Sequence, residues 1–196
     1  MSDIGSQLSN LDCVELTRRW VDQFVIAENL CPFAAPALRD QPLRVVVNES
    51  SNVDTLAAAV LEEMDALQSA PEHELITSVL VMPNALADFE DYLDFAALAD
   101  ELLESSGLEG TLQIATFHPQ YCFADVRPDD VSNYSNRSPF PMLHFLREAA
   151  LTRALENYAN PEAIPLRNIE HLRSLGLPRV QELLSKIHAS LGNKNA

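Results

Sequence analysis

Residues 114–148, IATFHPQYCFADVRPDDVSNYSNRSPFPMLHFLRE, join a strand-like run to a helix-like one across a polar, proline-rich segment. The stretch gathers two His, three Asp, two Asn, three Arg, two Tyr and four Pro. Its leading edge, 111–117, reads as a β-strand entered through Gly107 and Gly110. Its trailing edge reads as a helix from Ser138 to about Tyr158, with Ser138 as N-cap and Pro139 at the first helical position. Tyr121 to Ala124 reads as a short edge strand.

Upstream, apolar residues fall at helical spacing from about 11 to 29, and Asn29 and Pro32 end that helix. LRVVV (43–47) and 75–82 are apolar and β-rich, as buried strands are. SNVD (51–54) has the form of a capping box that opens a helix to about residue 68. A further helix runs from about 86 to 105. The acids on these helices, Glu62 and Glu63 included, read as solvated faces. Two shorter helices, near 167–175 and 178–191, close the chain. The alternation of helix and strand implies crossovers, and crossovers favour parallel neighbours. The expectation is a single α/β domain over 1–196. It has a small, mainly parallel sheet of three or four strands, packed helices and a helical C-terminal third, with 1–9 and 192–196 loose.

With 196 residues and 47% hydrophobic content, the chain can bury a core. Its formal net charge of −16 opposes nucleic acid and anionic membranes, both of which need a basic footprint. There is no basic-then-apolar leader and no apolar run of ~18 residues. Cys13, Cys31 and Cys122 are far apart and form no CxxC pair. These features point to an acidic cytoplasmic protein.

His118 follows the 111–117 strand, where loops of α/β sheets converge on ligands. It reads as a base, anion donor or metal ligand, or as a structural His bonded to loop backbone. Asn136 and Arg137 lead to the helix start at Ser138, whose free N–H groups, with Arg147, would cup a phosphate or carboxylate. In the competing reading the Asn residues cap turns and Arg137 pairs with Asp129 or Asp130. On a helix, His144, Arg147 and Glu148 would share one face, so His118, His144 and Glu148 are also a candidate metal set. Tyr121 either bonds a ligand or walls the loop. Cys31 is an outside candidate, its thiolate disfavoured by a helix C-terminus, and His73, His171 and His188 read as solvated.

NLCPFA (29–34), FHPQYCFAD (117–125) and SNRSPFPMLHFLRE (135–148), in that order, resemble a bacterial family with plant relatives, domain of unknown function 1415. The resemblance runs from about residue 17 to 156. It implies that Asn29, Cys31, Pro32, His118, Tyr121, Asn136, Arg137, His144, Arg147 and Glu148 belong to the family's motif words, which supports one shared site. It implies no reaction and no cofactor. The leading expectation is an enzyme-like pocket for a small anionic metabolite, built from 114–148. In it, His118 or His144 is acid or base, positioned by Asn136 and Glu148, and Asn136, Arg137, Ser138, Arg147 and Tyr121 bind the ligand. The alternatives are a metal-dependent hydrolase using His118, His144 and Glu148, and a non-catalytic interaction protein.

Overall fold

A computed structural model describes residues 8–38, 43–156, 158 and 160–192. The expected loose ends at 1–7 and 193–196 lie outside the described residues. Ser9 does not belong with them. It caps helix α1 (Asn10–Trp20) in a reciprocal capping box with Asp12. The helix runs on as a π-turn, Val21–Ile26, and Asn29 then turns the chain at φ 53°, as a left-handed stop requires. Cys31 lies after that turn and just before the short helix α2 (Ala34–Ala37).

Strand β1 (Arg44–Val47), helix α3 (Val53–Ser69), strand β2 (Thr77–Val81), helix α4 (Phe89–Ser105) and strand β3 (Leu112–Phe117) follow in the expected alternation. The cap of α3 is Asn52, which accepts from the Thr55 N–H, one residue past the expected Ser51. Asp88 caps α4, whose buried face is Tyr92, Phe95, Ala96, Ala99 and Leu103. Residues 121–124 form loop rather than an edge strand.

The expected helix from Ser138 does not form. Residues Met142–Arg147 are strand β4, and helix α5 spans only Glu148–Leu155. Two constraints explain the difference. Phe140 precedes Pro141, and the proline ring disfavours helical backbone at the residue before it. The run MLHFLR is apolar on both sides of a strand, because layers cover both faces, and that hides the period of two. Ser138, freed from capping, is buried and donates its hydroxyl to the Phe140 carbonyl.

Placing β4 changes the sheet. The strand order is β1-β2-β4-β3, with β1 and β2 parallel and β4 antiparallel to both neighbours. The sheet is therefore mixed rather than mainly parallel. The three strands read from the sequence do share one direction, but β4 lies between β2 and β3. Helices α6 (Ile164–Leu175) and α7 (Leu177–Gly192), with α5, supply the helical C-terminal part.

Each face of the sheet packs its own layer. Leu80, Leu143, Phe145 and Ile114 meet α3 and α4. Val79, Val81, Met142 and Phe117 meet α1, the π-turn, α6 and α7. On the first face the Tyr92 hydroxyl donates to the Met142 carbonyl at 2.8 Å and accepts from the Phe117 N–H at 2.9 Å. It thus bridges the end of β3 to the start of β4, and burial pushes its pKa up.

On that face Glu63 is 3% exposed, not solvated as expected. Arg44 holds its carboxylate through Nε and an Nη at 3.0 and 2.9 Å, and the Ser78 hydroxyl donates to it. A carboxylate here persists only while fully partnered. Arg44 is partly in water, so Glu63→Ala should cost about 1–3 kcal/mol in urea unfolding. In an Arg44→Met background the same change should cost less. Equal losses in both backgrounds would show that the pair is not coupled.

Candidate functional site

The residues proposed from sequence separate into three places. His118 is fully buried and leaves no ring atom free. The Gln120 N–H donates to Nδ1 at 3.0 Å, which makes Nε2 the protonated nitrogen that donates to the Leu86 carbonyl at 2.9 Å. Leu86 holds a positive φ of 56°, unusual for its type, and the imidazole ties down that turn. Desolvation lowers the His118 pKa, so the ring is neutral at pH 7. Around it, the Asn136 amide donates to the Thr116 carbonyl, and the Asn136 carbonyl accepts from the His118 N–H. The Tyr121 hydroxyl meets that of Thr116 at 3.2 Å. His118, Asn136 and Tyr121 thus brace the loop that follows β3.

Arg137 and Arg147 do not converge. Arg147, at the far end of β4, donates to the Leu75 and Ala70 carbonyls. Ala70 is the C-cap of α3, so one of these bonds satisfies a carbonyl at the negative end of that helix. Glu148 begins α5 beside it, and its N–H donates to Thr111. From His118 to Glu148 is about six strand residues, roughly 20 Å, so His118, His144 and Glu148 do not form a ligand set. Among the described residues, no three His, Cys, Asp or Glu side chains gather as a metal would need.

Arg137 remains near Ser138, but in a hollow rather than at a helix start. Its Nε donates to the Tyr121 carbonyl and an Nη to the Pro128 carbonyl. It pairs with neither Asp129 nor Asp130, whose partners are Arg127 and Arg173. The guanidinium lies 4.6 Å from the Tyr134 ring centre. A hollow of about 250 Å³ opens beside it, walled also by Ser138, Trp20 and, from α7, His188. His171 is not simply solvated but meets Glu28 at 2.8 Å.

The third place is a cavity of about 50 Å³ under α1 and the π-turn, lined by Cys31, Thr77 and His144 among apolar neighbours. Here the sequence candidates Cys31 and His144 do come together, through folding and not through spacing. The Thr77 hydroxyl has one proton and gives it to the Phe145 carbonyl at 2.7 Å. Its other contact, His144 Nε2 at 2.7 Å, must therefore be the donor, which leaves the Nδ1 lone pair free. Burial lowers the His144 pKa to about 4. Burial also raises the Cys31 pKa, although the Phe33 and Ala34 N–H groups point at its sulfur and favour the thiolate. Trp20 and Thr77 were not singled out from sequence. Trp20, the only tryptophan, was the one available cue, and nothing in the sequence marked Thr77.

The chain belongs to the family described as protein of unknown function (DUF1415), whose model matches residues 12–182. No curated protein and no solved structure matches it. Among the described residues, no helix is long and apolar enough to cross a membrane.

His118→Ala should cost about 2–4 kcal/mol in urea unfolding, because it opens a cavity and strands two backbone groups. A loss below about 1 kcal/mol would contradict the bracing role. His144 titrates near 4 when folded and near 6.5 when unfolded. Between those values the unfolded chain binds more protons, so His144 makes stability fall as pH drops through that window. The decline should be shallower in His144→Gln, measured by denaturant midpoints at several pH values.

Proposed function

We propose that this family member is an enzyme-like domain that binds a small anionic metabolite, phosphorylated or carboxylated, in the hollow beside Arg137. Arg137 carries the reading. In a chain of net charge −16, its guanidinium meets no carboxylate among the described residues. Two of its five N–H donors serve backbone carbonyls, and three remain for the oxygens of an anion. The Tyr134 ring helps to orient the fork.

Ser138 and His188 complete the polar wall. Partial desolvation at the rim of the hollow holds His188 below its usual pKa, so a bound anion would draw a proton onto it and bind more tightly as pH falls. At about 250 Å³ the hollow suits a ligand at the small end of the ~300–1,000 Å³ range of metabolite pockets. The same reading sets the protein in the reducing cytoplasm, where Cys13, Cys31 and Cys122 stay thiols.

Inorganic phosphate should raise the melting temperature of the wild type, because a ligand that binds only the folded state stabilises it. Arg137→Ala should weaken phosphate binding by about tenfold to a hundredfold, the range for a lost charged hydrogen bond. His188→Ala, on an exposed helix face, should weaken it by several-fold at pH 6 and leave the fold intact. Phosphate binding equal to wild type in both variants would overturn the proposal.

A further inference from the structure

The indole nitrogen of Trp20 is the one buried side-chain nitrogen or oxygen without a hydrogen-bond partner among the described residues. The residue is 3% exposed, so its N–H has given up water and received nothing in return. Such orphaned donors are rare, and they commonly mark a place that a water or ligand fills. Trp20 forms part of the wall of the Cys31–His144 cavity. On the same wall His144 presents the converse deficit: Nε2 is committed to Thr77, and Nδ1 keeps a lone pair that no described group meets.

The remaining lining is apolar, with Val25, Val79, Phe117 and Met142 prominent. We infer that this cavity is a second binding site, for an uncharged head group that accepts and donates hydrogen bonds at once: a primary amide or an alcohol. Its acceptor oxygen takes the Trp20 N–H, and its N–H or O–H donates to His144 Nδ1. A carboxylate or phosphate is refused. Among the described residues no Lys or Arg lines the cavity, and the Nδ1 lone pair repels negative charge.

Cys31 is part of the wall rather than a nucleophile in this proposal. Burial favours its protonated thiol, and the neighbouring imidazole is a weak base, so no proton transfer between them is favourable. At about 50 Å³ the cavity admits only a short group, which is the end of a ligand whose remainder lies towards the surface. Trp20 walls both this cavity and the anion hollow, but the two differ in chemistry, and either can fail without the other.

Trp20 is the only tryptophan, so its indole N–H gives a single cross-peak in a nitrogen-15 spectrum of the full chain. Acetamide should move that peak saturably, with a dissociation constant in the roughly millimolar range that four heavy atoms allow. Acetate, its charged counterpart in shape, should not move it at pH 7.5. Arg137→Ala should leave the acetamide response unchanged, and Ala34→Leu, which fills the cavity, should abolish it. As a check that needs no variant, saturating acetamide should slow methylthiolation of Cys31 relative to Cys122, read by peptide mass. The proposal is overturned if acetamide gives no saturable shift up to about 200 mM. It is also overturned if phosphate or acetate moves the peak equally, which would assign the indole N–H to the Arg137 hollow.

Discussion

Strand β4 is hydrogen-bonded along both edges, to β2 on one side and β3 on the other. Everything the chain does with its polar residues depends on that double ladder. It fixes Met142 opposite Phe117, which lets the Tyr92 hydroxyl bridge the two strands. It turns His144 to the α1 side and Phe145 to the α3 side by simple alternation. It also sends Arg147 to the carboxyl end of α3, while Arg137 bonds to the loop beyond the other end of the strand. A helix over the same residues would have put His144, Arg147 and Glu148 on one surface.

The two histidines of the motif stretch show how little a residue type says by itself. Both are neutral, His118 fully buried and His144 partly so. His118 spends both ring nitrogens on backbone groups and so acts as a rivet. His144 spends one, on a hydroxyl whose proton is already given away, and keeps the other open. The difference arises from a single threonine on a neighbouring strand.

Much of the scaffold was legible because amphipathic helices and β-branched runs announce themselves locally. β1, α3, β2, α4 and β3 lie close to where their periods put them, and Asn29 takes its left-handed turn. MLHFLR was misread because a strand covered on both faces has no polar side to alternate with. Pro141 carried the warning, through the restriction it places on Phe140. Glu63 was misread for a related reason: an acid on a helix looks solvated unless Arg44 and Ser78 are known to stand opposite it. The Cys31–His144 cavity was beyond local reading altogether. Its members, Trp20, Cys31, Thr77 and His144, come from four distant segments, and no spacing rule connects them. Arg137 and Ser138 do line one hollow, but no helix starts there.

The inserted strand also orders events during synthesis. When residues 1–117 have left the ribosome, the segments of β2 and β3 have no common partner, and each has a raw edge open to solvent or to a chaperone. The sheet can close only after 30 further residues, 118–147, including the whole loop braced by His118, have emerged. Domains built this way carry an interval of exposed strand edges on every nascent chain. The acidic faces of α3 and α4, whatever else they do, repel other copies during that interval.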